Sequence, residues 1–167
     1  LACLRNTLYS VRYNLDVYLK ALVPTPLQFV FNNALGKRLL LKIHKSKLDL
    51  SSTDLDGSHT AALRGGDEVD YQGRKKRKTT NALYLTDRQG IPIAMSKPVA
   101  GNHNDLFDIE NQFDQIMNIL DQAEINAKGL FMNADAGFDA QVLKDKCIKR
   151  EMIPNICPNK RNGNNED

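Results

Sequence analysis

Leu130-Phe131-Met132-Asn133-Ala134-Asp135-Ala136-Gly137-Phe138-Asp139 is an apolar run of strand length that ends on a carboxylate, with glycine two residues later. A short continuous apolar run bounded by turn residues reads as a buried strand. Just before it, Leu106, Ile109, Phe113, Ile116, Met117 and Leu120 recur on one face of a helix. Asp105, Asp108 and Glu110 fall in the first turn of that helix, where acids oppose the positive end of the macrodipole. After the run, Asp139 reads as the cap of a helix carrying Val142, Leu143 and Cys147, with Lys146, Lys149 and Arg150 near its C-terminus. Ile153 to Cys157 then reads as a last short strand, followed by a polar tail. Strands separated by helices are expected parallel.

Working toward the N-terminus, Thr79 to Thr86 and Ile91 to Val99 flank the turn Asp87-Arg88-Gln89-Gly90, a hairpin pattern with Pro92 near a strand start. A polar, glycine-punctuated loop precedes it and contains Arg74-Lys75-Lys76-Arg77-Lys78. Before the loop, Ser52-Thr53-Asp54-Leu55-Asp56-Gly57-Ser58-His59-Thr60 contains a first strand expected to end at Asp56. Residues 15–47 read as helical, interrupted by Pro24 and Pro26 and bent or ended at Gly36. Strand, hairpin, helix, strand, helix, strand is an α/β order with a mixed sheet. Sites in such sheets collect at strand ends.

A chain of 167 residues fits one domain or one domain with a small appendage. Hydrophobic content of 41% and charged content of 26% are those of a globular protein, and no apolar run reaches membrane-span length. Cys3, Cys147 and Cys157 are scattered and form no C-x-x-C pair, so neither a metal finger nor a disulfide framework is expected. The net charge of +3 is small, but it is unevenly spread. Residues 1–50 carry Arg5, Arg12, Lys20, Lys37, Arg38, Lys42, Lys45 and Lys47 against Asp16 and Asp49. That asymmetry suits phosphate partners as well as a solvated surface. No phosphate-cradling G-x-x-x-x-G-K-[ST] loop occurs, and no G-x-S-x-G elbow supports a hydrolase built on Ser58 or Ser96.

Asp56 and Asp135 are the leading pair for chemistry. Two carboxylates at neighbouring strand ends can hold Mg²⁺ or Mn²⁺ with water and substrate phosphate completing the shell. Divalent ions so placed activate an attacking oxygen and stabilise a leaving one. Asp54 competes, because strand alternation puts it on the same face as Asp56. The basic run Arg74, Lys75, Lys76, Arg77 and Lys78 can contact DNA phosphates, or be a solvated loop; it also looks like a nuclear-localisation patch. His103 lies where a helix begins and can orient a phosphate or water, or simply make a local hydrogen bond; His59 has the same two readings.

Several of these segments together resemble the DDE transposases of bacterial insertion sequences. They are Leu55-Asp56-Gly57-Ser58-His59-Thr60, Gly65-Gly66, Tyr71-Gln72-Gly73-Arg74-Lys75, Thr79-Thr80-Asn81, Ala100-Gly101-Asn102-His103-Asn104-Asp105, Asn133-Ala134-Asp135-Ala136-Gly137-Phe138-Asp139 and Asn159-Lys160-Arg161-Asn162-Gly163. The resemblance covers about 48–167 and implies an RNase H-like catalytic domain there, preceded by a helical region over 1–47. It implies that Asp56 and Asp135 are two acids of a metal-binding triad using Mg²⁺ or Mn²⁺, with a third, a Glu, on a helix beyond Asp167. Neither Glu151 nor Glu166 matches the family's Glu motif. The implied activity is cleavage at transposon ends and joining of the 3′-hydroxyl to target DNA, with residues 1–167 alone expected to be weak or inactive. The implied partners are the terminal repeats, target DNA and further copies of the chain in the bacterial cytoplasm. A non-catalytic DNA-binding remnant and a nuclease that cuts without joining are the alternative expectations.

Overall fold

The computed structural model describes residues 44–62 and 65–159. Of the helical region expected over 15–47, only residues 44–47 fall within them, and there Lys45–Lys47 form a short 3-10 turn. The elements that follow are β1 (Ser52–Ala61), β2 (Asp70–Gln72), β3 (Arg77–Asp87), β4 (Pro92–Met95), β5 (Val99–Ala100), α1 (Ile109–Gln122), β6 (Phe131–Ala134), α2 (Gln141–Lys149) and β7 (Ile153–Ile156).

All seven strands join one sheet. On one side of β3, the short strands β2, β5 and β4 follow one another along its length, all antiparallel to it. Its other side pairs antiparallel with β1, and beyond β1 lie β6 and β7, both parallel to it. An antiparallel half fused to a parallel half through β1 is the expected RNase H-like mixed sheet. The two parallel neighbours are reached through α1 and α2, as crossovers require.

Burial follows the sequence periodicities. Ile109, Phe113, Ile116, Met117 and Leu120 of α1 are all buried, together with Leu143 and Cys147 of α2. They meet Leu55, Leu83, Leu85, Ile93 and Met132 from the sheet in one core. Burial pushes the Cys147 thiol up to about 12, and its Sγ lies 3.7 Å from Met132 Sδ, so it acts as a small apolar side chain. On β1, β6 and β7 the alternate residues Ser52, Phe131 and Ile153 stand in one register row, and Asp54, Asn133 and Asn155 in the next. These rows face away from the core: Phe131 and Ile153 remain 46% and 42% exposed. A polar ladder crosses the second row, Asn155 donating to Asn133 at 2.7 Å and Asn133 to Asp54 at 2.8 Å.

The hairpin is where the sequence places it. Its turn is organised by Asp87, whose fully buried carboxylate accepts from the backbone N–H groups of Gln89, Ile91 and Asp49 at 2.8–3.0 Å. Gly90 supplies the positive φ of 80° that closes the turn. Four expectations are corrected. β1 does not end at Asp56 but continues to Ala61, fully paired with β3. The returning strand breaks at Ser96–Pro98, because the Ser96 hydroxyl turns inward, accepting from Leu83 N and donating to Gln112. α1 begins at Ile109, since Asp108 adopts φ 48° and its carboxylate accepts from Asn111 without capping; Asp105 is therefore outside the helix. Asp139 is not the N-cap of α2. Ala140 holds the cap position of α2, and Asp139 binds Lys144 and the backbone N–H of Asn159, tying α2 to the segment after β7.

Candidate metal and nucleic-acid site

The parallel ladder between β1 and β6 ends with Leu55 opposite Ala134. The next residues along the chain are Asp56 and Asp135, so the register brings these two residues next to each other, near enough for the Asp135 charge to act on Asp56. Asp56 sits inside β1, opposite Tyr84 of β3, while Asp135 follows the last residue of β6. Asp135 then starts the 3-10 turn Ala136–Phe138, its Oδ1 accepting from Gly137 N at 2.7 Å. Buried Phe138 pins that turn to the core. Asp54 shares the Asp56 face, but its carboxylate is taken up by Asn133 in the polar ladder.

The electrostatics mark Asp56. Burial pushes its carboxyl up to about 6, and the neighbouring carboxylates of Asp105 and Asp135 push in the same direction. The Gly57 N–H and, more weakly, the Lys75 ammonium offset part of this. A half-buried carboxylate crowded by two others favours whatever brings positive charge, a proton or a cation. Among the described residues, no group of three His, Cys, Asp or Glu side chains is arranged to hold a metal ion. The all-oxygen pair Asp56 and Asp135 fits a hard divalent cation that takes its remaining ligands from water or substrate.

The sequence reading missed Asp105 as a neighbour of this pair. It lies before α1 and reaches across β1 at Gly57. A Cβ on Gly57 would stand 2.1 Å from Asp105 Oδ1, so glycine is needed for this approach and not to end the strand. Asp105 accepts from Asn81 Nδ2 at 2.9 Å, and His59 Nε2 lies 3.9 Å from it. Asn81 is His59's register partner on β3, and His59 Nδ1 lies 3.4 Å from Thr79 Oγ1. The signal was available in two places. The loop residues Gly101-Asn102-His103-Asn104 argue against a helix already begun at Asp105, and alternation from Leu55 turns Gly57 and His59 toward the core side.

His103 stacks on Phe107 with ring centroids 3.5 Å apart, so its ring is engaged locally. The five-residue basic run is split by the backbone. Arg74, Lys75 and Lys76 occupy the tip of the β2–β3 hairpin, with Lys76 at φ 48°, while Arg77 and Lys78 belong to β3. Strand alternation then sends Arg77 and Lys78 to opposite faces. Lys75 and Arg77 line a cavity of about 250 Å³ with His59, Ala61 and Thr79.

No family description matches this chain, and no curated protein does. Two solved structures are similar. One is the Mos1 transposase paired-end complex with left transposon end, at 14% identity and a TM-score of 0.45, over 71% of this chain and 39% of that one. The other is the piggyBac transposase synaptic complex with hairpin DNA, at 11% identity and a TM-score of 0.47, over 89% of this chain and 34% of that one. The chain thus spans well under half the length of either. Among the described residues, no helix is long and apolar enough to cross a membrane.

Proposed function

We propose that this chain carries part of the catalytic domain of a DNA transposase of the insertion-sequence kind, acting on phosphodiester bonds with a divalent metal ion. The observation that supports this most is the register: Asp56 and Asp135 stand side by side where the β1–β6 ladder ends, in an RNase H-like sheet. The motif resemblance centres on the same two residues.

In this reading Asp56 and Asp135 hold Mg²⁺ or Mn²⁺ through carboxylate oxygens. A bound ion supplies Lewis-acid activation of the attacking oxygen, water in cleavage or a 3′-hydroxyl in joining, and stabilisation of the leaving oxygen. The chain's own contribution is positioning. The β1–β6 ladder fixes the spacing of the two carboxylates. The Gly137 N–H holds one Asp135 oxygen and so orients the other. Asp105, tied to Asn81, adds negative charge behind Asp56 and raises the pair's preference for a cation. Arg74, Lys75, Lys76, Arg77 and Lys78 draw the DNA backbone to the antiparallel edge of the sheet, a contact without sequence information.

The test is cleavage and joining of end-labelled DNA by the purified protein in Mg²⁺ or Mn²⁺. Because a third acid is implied beyond Asp167, at most weak metal-dependent nicking is expected, falling to background in both Asp56→Ala and Asp135→Ala. Nicking that survives Asp135→Ala would contradict the assignment. Salt-dependent DNA binding without nicking in either metal, indifferent to both substitutions, would favour a non-catalytic DNA-binding protein instead.

A further inference from the structure

We infer that the cavity lined by His59, Ala61, Lys75, Arg77 and Thr79 is a phosphate subsite, binding one non-scissile phosphodiester of a nucleic-acid strand. The inference rests on the proposed DNA chemistry for its occupant, and on the structure for its place and composition. The cavity sits where β1 and β3 pair for the last time, Ala61 opposite Thr79, with His59 one alternate position nearer Asp56. Its floor is polar and fixed: Thr79 is fully buried and His59 is 7% exposed, with Thr79 Oγ1 and His59 Nδ1 3.4 Å apart. Its mouth is cationic and exposed, with Lys75 from the hairpin tip and Arg77 from the start of β3. Among the described residues no carboxylate lines it; Asp105 stands behind the floor, 3.9 Å from His59 Nε2.

That combination is selective. Two cations over a hydroxyl and an imidazole suit a tetrahedral oxyanion, with the guanidinium able to give paired hydrogen bonds to phosphate. The volume lies below the roughly 300–1,000 Å³ of sites for drug-sized ligands, so a phosphate with its adjoining sugar atoms fits better than a whole nucleotide. Two features hold the floor rigid. A Cβ on Gly101 would stand 2.2 Å from the Thr79 carbonyl oxygen, so the residue that follows β5 lies directly against Thr79. Gln72 of β2 donates to Gly101 O at 3.0 Å, fastening the hairpin that carries Lys75 to the segment just after β5.

The position separates this subsite from the reacting phosphate. With about 3.4 Å per residue along an antiparallel strand, His59 and Ala61 stand about 10–17 Å beyond Asp56. Alternation also puts them on the opposite side of β1 from Asp56. A strand reaching both places would enter at the cavity and cross the β1 edge to reach the carboxylates. Lys75 lines the cavity and is also near enough for its charge to act on Asp56. The subsite therefore sets the register of the strand and leaves the chemistry to the carboxylates.

The experiment uses the full 167-residue chain in EDTA, with a short single-stranded DNA oligonucleotide as probe and inorganic phosphate as a second probe. Saturable shifts of the His59 ring and Thr79 amide NMR signals by the oligonucleotide are expected, with weaker shifts from phosphate at the same signals. Lys75→Gln and Arg77→Gln should each weaken oligonucleotide binding about tenfold. Each should also lower the slope of log affinity against log salt by about 0.7, the loss of one neutralised phosphate. Lys128→Gln, which removes an exposed lysine paired with Glu151 outside the cavity, should change neither. Shifts confined to residues outside the cavity, or equal losses in Lys128→Gln and Arg77→Gln, would overturn the inference. Because EDTA removes metal, cavity binding can stand while metal-dependent nicking fails, and nicking can stand while the cavity stays silent.

Discussion

Asp56→Asn is expected to stabilise the metal-free protein above pH 6 and to remove its response to divalent metal. The carboxyl of Asp56 is raised from an ordinary value near 3.8 to about 6, first by burial and then by Asp105 and Asp135. A raised acid binds its proton more tightly in the folded state than in the unfolded one. Its favourable contribution is thus complete below pH 3.8 and is lost as pH rises through 6. A shift of this size corresponds to nearly 3 kcal/mol, which partial solvent access reduces to about 1–2 kcal/mol. Asparagine keeps the shape without the charge. In EDTA, the melting temperature of Asp56→Asn should exceed that of the wild type at pH 7–8 and match it at pH 3.5. With Mg²⁺ or Mn²⁺ at a hundred times the dissociation constant, the wild type should gain about 2.7 kcal/mol and overtake the variant. Equal pH profiles for the two proteins would mean that Asp56 is not crowded, and with it the electrostatic case for a cation site would fall.

Asp87→Ala carries the largest expected loss of stability. The carboxylate is wholly enclosed and accepts from three backbone N–H groups, of Gln89, Ile91 and Asp49. Removing it strands three donors at the join between β3, β4 and the segment leading into β1. A buried donor without a partner costs about 1–3 kcal/mol; here Gln89 is exposed and Ile91 and Asp49 are half-buried, so water recovers part and a net loss of about 3 kcal/mol is expected. Urea unfolding should show a lower midpoint at unchanged slope. Asp87→Asn keeps acceptor oxygen at one position and should lose about half as much. A loss below 1 kcal/mol in Asp87→Ala would show that the turn holds without its carboxylate. The contrast with Asp56 is instructive. Both are strand aspartates, but one is satisfied by backbone donors and the other is set among negative charges, which separates a structural acid from a candidate ligand.

Much of the parallel half was legible from the residues. The spacing of Ile109, Phe113, Ile116, Met117 and Leu120 permits only a helix with one buried stripe, and all five are buried. The Asp87–Gly90 turn between two β-favouring runs marks the hairpin, because its glycine and aspartate are what such a turn requires. β2 was not legible. It has three residues, two of them exposed, and pairs with β3 through backbone groups that carry no side-chain signal. The length of β1 was misread for a related reason. Gly57 looks like a strand terminator in one dimension, and the reason for a glycine there is Asp105, which arrives from a distant loop. The same long-range contact hid Asp105, since its nearest sequence context is the acidic start of α1. Asp56 and Asp135 were legible as individual residues, whereas their adjacency is a property of the β1–β6 register. The basic run was visible as charge, but which cations share a cavity depends on where the turn stops and alternation begins.

We propose that Asp56 and Asp135 jointly hold one divalent cation. Paramagnetic broadening by substoichiometric Mn²⁺, followed across the amide NMR spectrum of the wild type, Asp56→Asn and Asp135→Asn, tests this pairing. The predicted result is broadening centred on Gly57, Ala136 and Gly137 in the wild type, reversed by excess Mg²⁺ and lost in both variants. Broadening centred elsewhere, or unchanged in either variant, would contradict the claim.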